Sequence, residues 1–583
     1  MKKITSVFTK LQPVVLVWFM ATALCLTACK KNKMDLRNDN RFTTTPMPVS
    51  TSRIVNLAGF NQVRANGRAI TDSVFHDPDG PDYYKFTGTD YFPKNGLMGA
   101  TWQIQQALFA SPNGLELKFS YVGKAGFTPV PFTMPAIKEE YNKPMDYYLL
   151  PTNAAGSLPN YYAVERGAVQ PSKPDHFKIR IINLTAPVSG TIFSPIGQLE
   201  DLTGPVTLTY ADGTPVAAQT SNVTTDQHVS DYLELPYGAY QFKVLTANGR
   251  QVPGASPSDS RFMDIYPTTS TVAVIANGVI NNSKLTFAPI NTYQPGGVYT
   301  IVVTPYNFNY DRSPSEASSG AFQNAFTVIT DLSAPANITY CRVQAVNALP
   351  GDNQVSFRVN GQALSAGLGF GQSSAYSNLI QGDYNIEAVN ASGTVLASLK
   401  QTLKASQNYT AWLYPDAAGK SQLLLVPNDL SGLSTVVAGN PQDASAGTYR
   451  SDYLFNTRCL NLSPDNQYIT FTFDNGQPAA ANLRPGILNP GNPYVNQGIA
   501  DFYKPFELMA YRSLPDVVPG TWAKDIEVFK SENFIANPAL YTTPARALPA
   551  AEPGIYTAAL IGRSGANVPV AEKAKIILVK HNR

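Results

Sequence analysis

The sequence predicts an all-β fold: antiparallel β-sandwich domains in tandem, behind an N-terminal export segment and a flexible tether. Three observations lead there. A two-strand signature recurs four times along 583 residues: an apolar run ending in Asn, then a strand closed by Asn-Gly or Asp-Gly. Gly 41 and Pro 45 together stand above average usage, while charged residues are only 15% and tyrosines number 31. That composition suits turn-rich β structure and not helical bundles. Asn-Gly between alternating apolar residues is a strong hairpin signal.

Residues 1–28 come first. Lys2, Lys3 and Lys10 accompany an apolar stretch from about Leu11 to Leu26. This is the pattern of a secretory signal, too short and too early to span a membrane once cleaved. It ends in Leu26-Thr27-Ala28-Cys29, which resembles the lipobox of bacterial lipoproteins. The resemblance implies cleavage just before Cys29 and a lipid carried on Cys29, so the chain is anchored to a membrane without crossing it. Asp after the cysteine would resemble an inner-membrane retention signal. Lys30 stands there instead, so the outer membrane is expected.

Removing the signal changes the charge. The chain holds 44 basic and 41 acidic residues; three lysines leave with residues 1–28, so 41 face 41. A neutral surface offers no electrostatic footprint for nucleic acid. Residues 29–50 are polar and read as a lipidated cysteine plus tether. About 20 such residues span roughly 25 Å as a coil.

Four β segments follow, expected at 51–170 (a divergent domain), 171–335, 336–430 and, after a linker at 431–450, 451–583. Their opening strands end at Asn56, Asn183, Asn347 and Asn461, and their next strands close at Asn66-Gly67, Asp212-Gly213, Asn360-Gly361 and Asn475-Gly476. A second signature, Tyr-x-x-Leu-x-x-Gly-x-Tyr, joins Tyr232–Tyr240 to Tyr376–Tyr384, with a looser form at Tyr511, Leu514, Gly520 and Trp522. A third is Tyr-Thr opening a late strand, at Tyr299, Tyr409 and Tyr556.

The 336–430 segment shows the architecture best. Strands read at about 339–347, 354–360, 373–380, 383–390, 394–403, 408–414 and 421–427, with period-2 alternation in Tyr384, Ile386 and Ala388. Seven short strands in about 90 residues indicate an immunoglobulin-like sandwich. The chain is expected to extend from the membrane as a string of such domains. These signatures resemble the domain of unknown function 4397, found in tandem in Bacteroidota lipoproteins and other envelope proteins. The likeness is best over 177–430 and moderate over 452–581, and covers only the opening strand of 52–170. It implies an envelope β-domain array and brings no catalytic residue.

Residues that recur in each repeat belong to the fold. The four Asn read as turn formers, Gly238 and Gly382 as special backbone positions, and Tyr240 and Tyr384 as core rings whose hydroxyls bond a loop. Cys341 and Cys459 read as isolated buried thiols. Two cysteines and four scattered histidines give no zinc spacing, and no catalytic motif such as Gly-x-Ser-x-Gly or His-Glu-x-x-His occurs. No cofactor is expected. Asp77, Asp79 and Asp82 form a weak calcium candidate on a turn.

Aromatic platforms are the remaining clue, because carbohydrate recognition uses exposed ring faces. Trp102, Trp412 and Tyr414 are the candidate ligand-binding residues. Trp412 and Tyr414 share one strand face opposite Tyr409, Ala411 and Leu413; one face belongs to the core, and the other is either a platform or packed against a neighbouring domain. Inserts at 72–135, 482–505 and 529–550 are the expected binding loops. The expected function is a non-enzymatic, lipid-anchored envelope scaffold that binds a glycan or a partner protein. A carbohydrate-active hydrolase with its site in the first domain, and an adhesin-like stalk, are the alternatives.

Overall fold

The computed structural model describes residues 47–72, 88–122, 128–188, 198–255, 263–267, 272–277, 288–310, 319–351, 354–436, 447–450, 453–488, 495–496, 505–541 and 548–583. Cys29, the signal and nearly all of the tether lie outside them, as do Asp77, Asp79 and Asp82.

The described chain is all-β, and one eight-strand plan organises it. In residues 340–428 one sheet has the spatial order Ser377–Ile380, Tyr340–Asn347, Asn408–Pro415, Ser421–Asn428. The facing sheet has the order Gln362–Leu368, Val355–Val359, Gly382–Val389, Val395–Leu403. All seven strands expected from the sequence are present. The eighth, Gln362–Leu368, is Gly- and Ser-containing and mostly at the surface, so no clear alternation marks it. One pairing departs from the antiparallel expectation: Tyr340–Asn347 runs parallel to Asn408–Pro415.

The plan recurs. The first sheet of residues 49–165 has the order Thr101–Gln105, Val49–Asn56, Met145–Leu149, Tyr161–Glu165. That of residues 455–580 has Val495–Asn496, Phe455–Asn461, Gly554–Ile561, Lys575–Lys580. In residues 176–332 it is Leu233–Pro236, His176–Asn183, Val298–Tyr310, Ser319–Leu332, facing a reduced sheet of Val206–Thr209, Lys243–Thr246 and Gln251–Val252. These four sandwiches are called the first to fourth units below. Each is filled by alternate residues of its two sheets, such as Ile54 with Leu117, Ile181 with Val244, and Val343 with Phe357.

In the second, third and fourth units the recurring Asn works as a latch towards the facing sheet, whereas Asn56 of the first unit closes a local turn by accepting Phe60 N–H and donating to Phe60 O and Gly99 O. In the third unit Asn347 Oδ1 accepts the Leu349 N–H at 3.0 Å, and its Nδ2 donates to Leu368 O at 3.0 Å on the facing sheet. Asn461 does the same with Ser463 N and Leu483 O, and Asn183 with Thr185 N and Gly204 O. The tyrosine hydroxyls also bond backbone: Tyr240 donates to Pro236 O at 2.7 Å and Tyr384 to Ile380 O at 2.6 Å. Gly238 sits against the third unit, where a Cβ would lie 2.2 Å from Arg342 Nη1. Gly382 has φ +156°.

The units also pack on one another. Val55, Ile182, Val346 and Leu460, each one residue before the recurring Asn, lie outside their own cores. Val55, Tyr148, Ile182 and Val302 pack together between the first and second units. Val346, Trp412, Leu460 and Ile561 pack together between the third and fourth. Both faces of these central strands are apolar, so each needs cover on both sides. Gly554–Ile561 is accordingly buried at every residue. The result is two face-to-face pairs of sandwiches.

Candidate functional site

The structure moves the tryptophan candidates out of solvent. Trp102 is 5% exposed, packs against Phe92 at 5.3 Å between ring centroids, and donates its indole N–H to Gln105. Trp412 is fully buried between the third and fourth units, and its Nε1–H has no hydrogen-bond partner. Tyr414 is half-buried in the same cluster, with its hydroxyl against Gly486 of the fourth unit. Neither tryptophan offers a ring platform to a ligand. The face carrying Trp412 and Tyr414 is committed to holding two units together.

All three expected binding loops are partly described, and 529–550 is used internally. Phe534 is buried among Phe455, Phe529 and Tyr556. Asn537 donates to Asp212 O at 2.8 Å, and Leu540 O accepts from Gln251, both in the second unit. Behind them Lys243 of the second unit meets Glu552 of the fourth at 2.8 Å, with both side chains almost fully buried. Burial acts to raise the Glu552 carboxyl, but Lys243, Lys580 and hydrogen bonds from Lys243 and Tyr541 outweigh it and hold it below the usual range. Lys580 is pushed down to about 8, chiefly by burial. Backbone bonds join the same units: Gln241 N–H donates to Arg583 O at 2.7 Å, and Arg583 N–H to Ala239 O at 3.0 Å.

A second buried polar junction involves the second, third and fourth units. The Arg342 guanidinium lies 4.7 Å from the Tyr376 ring centroid and 5.6 Å from that of Tyr237. Burial lowers its affinity for the proton, opposed by Tyr376 and Tyr237. Asn428 links Tyr376 to Arg458, and His581 meets Tyr376 at 3.1 Å and Thr557 at 2.8 Å. His581 is pushed down to about 3, first by burial and then by Arg458 and Arg342. Between the first and second units, Arg53 bonds Asp146 at 2.5 Å and Asp331 at 2.6 Å. Arg53 and Arg458 each stand three residues before the recurring Asn. A charge at that place in an apolar strand was the sequence signal for their two junctions.

The fourth unit also carries an open apolar hairpin. On the fourth unit Leu514 is 59%, Val517 51%, Val518 43% and Trp522 40% exposed. They belong to the hairpin of Glu507–Leu514 and Val517–Trp522, which edges its sheet. Leu514 pairs with Val517, and Tyr511 with Trp522. The hairpin base is fixed. Arg512 grips Asp525 through two bonds of 2.7 Å and also reaches Asn466 and Ser564. The Arg512 hydrogen bond holds the Asp525 carboxyl down to about 2. Sequence reading missed this surface because Val517-Val518-Pro519 breaks the alternation; two adjacent exposed valines were the available sign.

Residues 341–441 match the model of a family described as Domain of unknown function (DUF4397). The third unit therefore contains a domain resembling that family, over a narrower span than the repeated motifs cover. No curated protein matches the chain. Among solved structures, a "putative adhesin from Bacteroides ovatus" aligns with 12% identity and a TM-score of 0.11, covering 43% of this chain and 92% of that one. Among the described residues no helix is long and apolar enough to cross a membrane. No group of three or more His, Cys, Asp or Glu is placed to hold a metal ion among them.

Proposed function

We propose that this chain is a non-enzymatic interaction scaffold of the bacterial envelope, held to the outer membrane by lipid on Cys29, whose fourth unit docks a partner protein. The observation that carries the reading is that one hairpin exposes four large apolar residues, Leu514, Val517, Val518 and Trp522, while Arg512 on it is bonded to Asp525. Exposed apolar clusters of this kind mark interaction sites, and an exposed tryptophan is a typical anchor residue. Pro519 removes one N–H from the edge strand, and Lys524 lies 6.0 Å from the Trp522 ring. Both oppose addition of a partner strand, so the side chains make the contact.

The test compares the soluble chain with a Val517→Lys/Trp522→Ala double variant for binding to outer-membrane vesicles. The wild type should bind saturably, lose binding when the vesicles are first treated with protease, and outcompete the variant at least tenfold, about 1.4 kcal/mol. Equal binding by the variant would refute the surface. Binding that survives protease but is abolished by periodate would assign the ligand to a glycan instead. Cys29→Ser should release the protein from the membrane fraction; continued lipidation would remove the anchor.

A further inference from the structure

The two linkers that join the first three units run side by side and enclose a cleft. Residues 170–174 form one wall and 335–339 the other, with Pro295, Gly296 and Tyr340 between them. Its volume is about 310 Å³, at the lower bound of the roughly 300–1,000 Å³ common for small-molecule sites. It is separate from the fourth-unit hairpin.

Both walls are held in place. Glu234 accepts from Ser172 N at 3.0 Å, Ser172 Oγ at 3.0 Å and Lys173 N at 2.8 Å. These bonds keep the Glu234 carboxyl below its ordinary range against the effect of burial. Asp175 bonds the His176 ring and Asn378 of the third unit. On the other wall Asn337 accepts the N–H groups of Thr339 and Tyr340 and donates to Tyr340 O, while Ser406 Oγ donates to Asn337 O. Linkers between independent domains are ordinarily mobile. Here side chains from the second and third units fix both, which lowers the ordering cost of any ligand bound between them.

The lining mixes proline rings with Gln170, Lys173 and Thr339. That combination of apolar C–H surface and spaced donors and acceptors matches the two kinds of surface on a sugar ring. A peptide strand has no purchase here, because His176–Asn183, Val298–Tyr310 and Tyr340–Asn347 are each paired on both sides and present no free edge. We propose that this cleft is a binding site for a short saccharide of one or two rings, and that occupancy braces the second and third units against each other.

The test is titration of the soluble chain, followed by NMR and by thermal melting. The probes are N-acetylglucosamine, galactose, glucuronate, maltose and a proline-rich peptide. At least one sugar should bind saturably, with a Kd on the order of 1 mM. Ala336→Trp, which plugs the cleft from an exposed position, should abolish that binding while leaving the melting temperature unchanged. Lys173→Ala should weaken glucuronate more than galactose if both bind. Val517→Lys/Trp522→Ala should leave sugar binding intact, so failure of the partner surface and failure of the cleft are separable. The proposal is overturned if no sugar saturates the wild type, if Ala336→Trp binds sugar as well as wild type, or if only the peptide binds.

Discussion

Replacing Trp412 tests whether the face it occupies is an interface or a platform. The side chain is fully buried, with Val346, Leu460, Ala559 and Ile561 in the same cluster. Truncation to alanine removes a large buried ring and leaves a cavity between two stiff sheets, where collapse is restricted. Such Trp→Ala changes cost about 3–5 kcal/mol. At about 3 kcal/mol the folding constant falls roughly 150-fold. A second effect has the opposite sign. The indole N–H is buried without an acceptor, a defect that itself costs about 1–3 kcal/mol. Trp412→Phe removes the donor while keeping most of the ring, so it should cost clearly less than the alanine variant, about 0–2 kcal/mol. Urea denaturation of the full chain, followed by far-UV circular dichroism, measures both. The reasoning fails if Trp412→Ala shifts stability by less than about 0.5 kcal/mol, the range of ordinary surface changes. It also fails if the phenylalanine variant is as damaging as alanine.

Three further outcomes follow from the junctions. Glu552→Gln strands the buried Lys243 and should cost about 3–5 kcal/mol, whereas the paired Lys243→Met/Glu552→Leu change should recover most of it; denaturant midpoints decide. His581 is held neutral, with its folded value near 3 against 6.5 when free. The unfolded chain therefore binds the extra proton first, and this group removes stability as pH falls from about 6.5 towards 3. His581→Gln should flatten the melting-temperature profile in that window, and an unchanged slope would count against the assignment. Glu552, held low, adds stability above its unfolded value and loses it in more acid solution. Cys341 and Cys459, pushed up by burial to about 11 and about 12, should resist iodoacetamide at pH 8 in the folded protein and react in urea; rapid native labelling of either would show the site to be open.

Much of the fold was legible because it is local chemistry repeated. The Asn-Gly turns and the bond from each recurring Asn Oδ1 to a nearby N–H each specify a conformation within a few residues, and the chain repeats them. Period-2 alternation located Tyr384, Ile386 and Ala388, whereas Gln362–Leu368 escaped because an outlying strand with little burial has no apolar face to read. The site was harder. Trp412 and Tyr414 were correctly placed opposite Tyr409, Ala411 and Leu413, but sequence cannot say whether a second apolar face meets solvent or another sheet. Val55, Ile182, Val346 and Leu460 were the evidence for the latter, since four repeats with apolar residues on both faces need cover. Long-range pairs such as Lys243 with Glu552 leave no trace in local pattern.

The contacts of the last three units close on themselves. The second meets the third through Arg342 and Tyr237, the third meets the fourth through Trp412, and the fourth returns to the second through Glu552 and Arg583. Such a cycle changes what loss of one contact means. When one interface is broken, the other two still hold its partners at high effective concentration, so it re-forms far faster than it would between free domains. Separation requires two interfaces to fail together. A pull applied between the second unit and the fourth would thus be shared around a ring instead of falling on one joint.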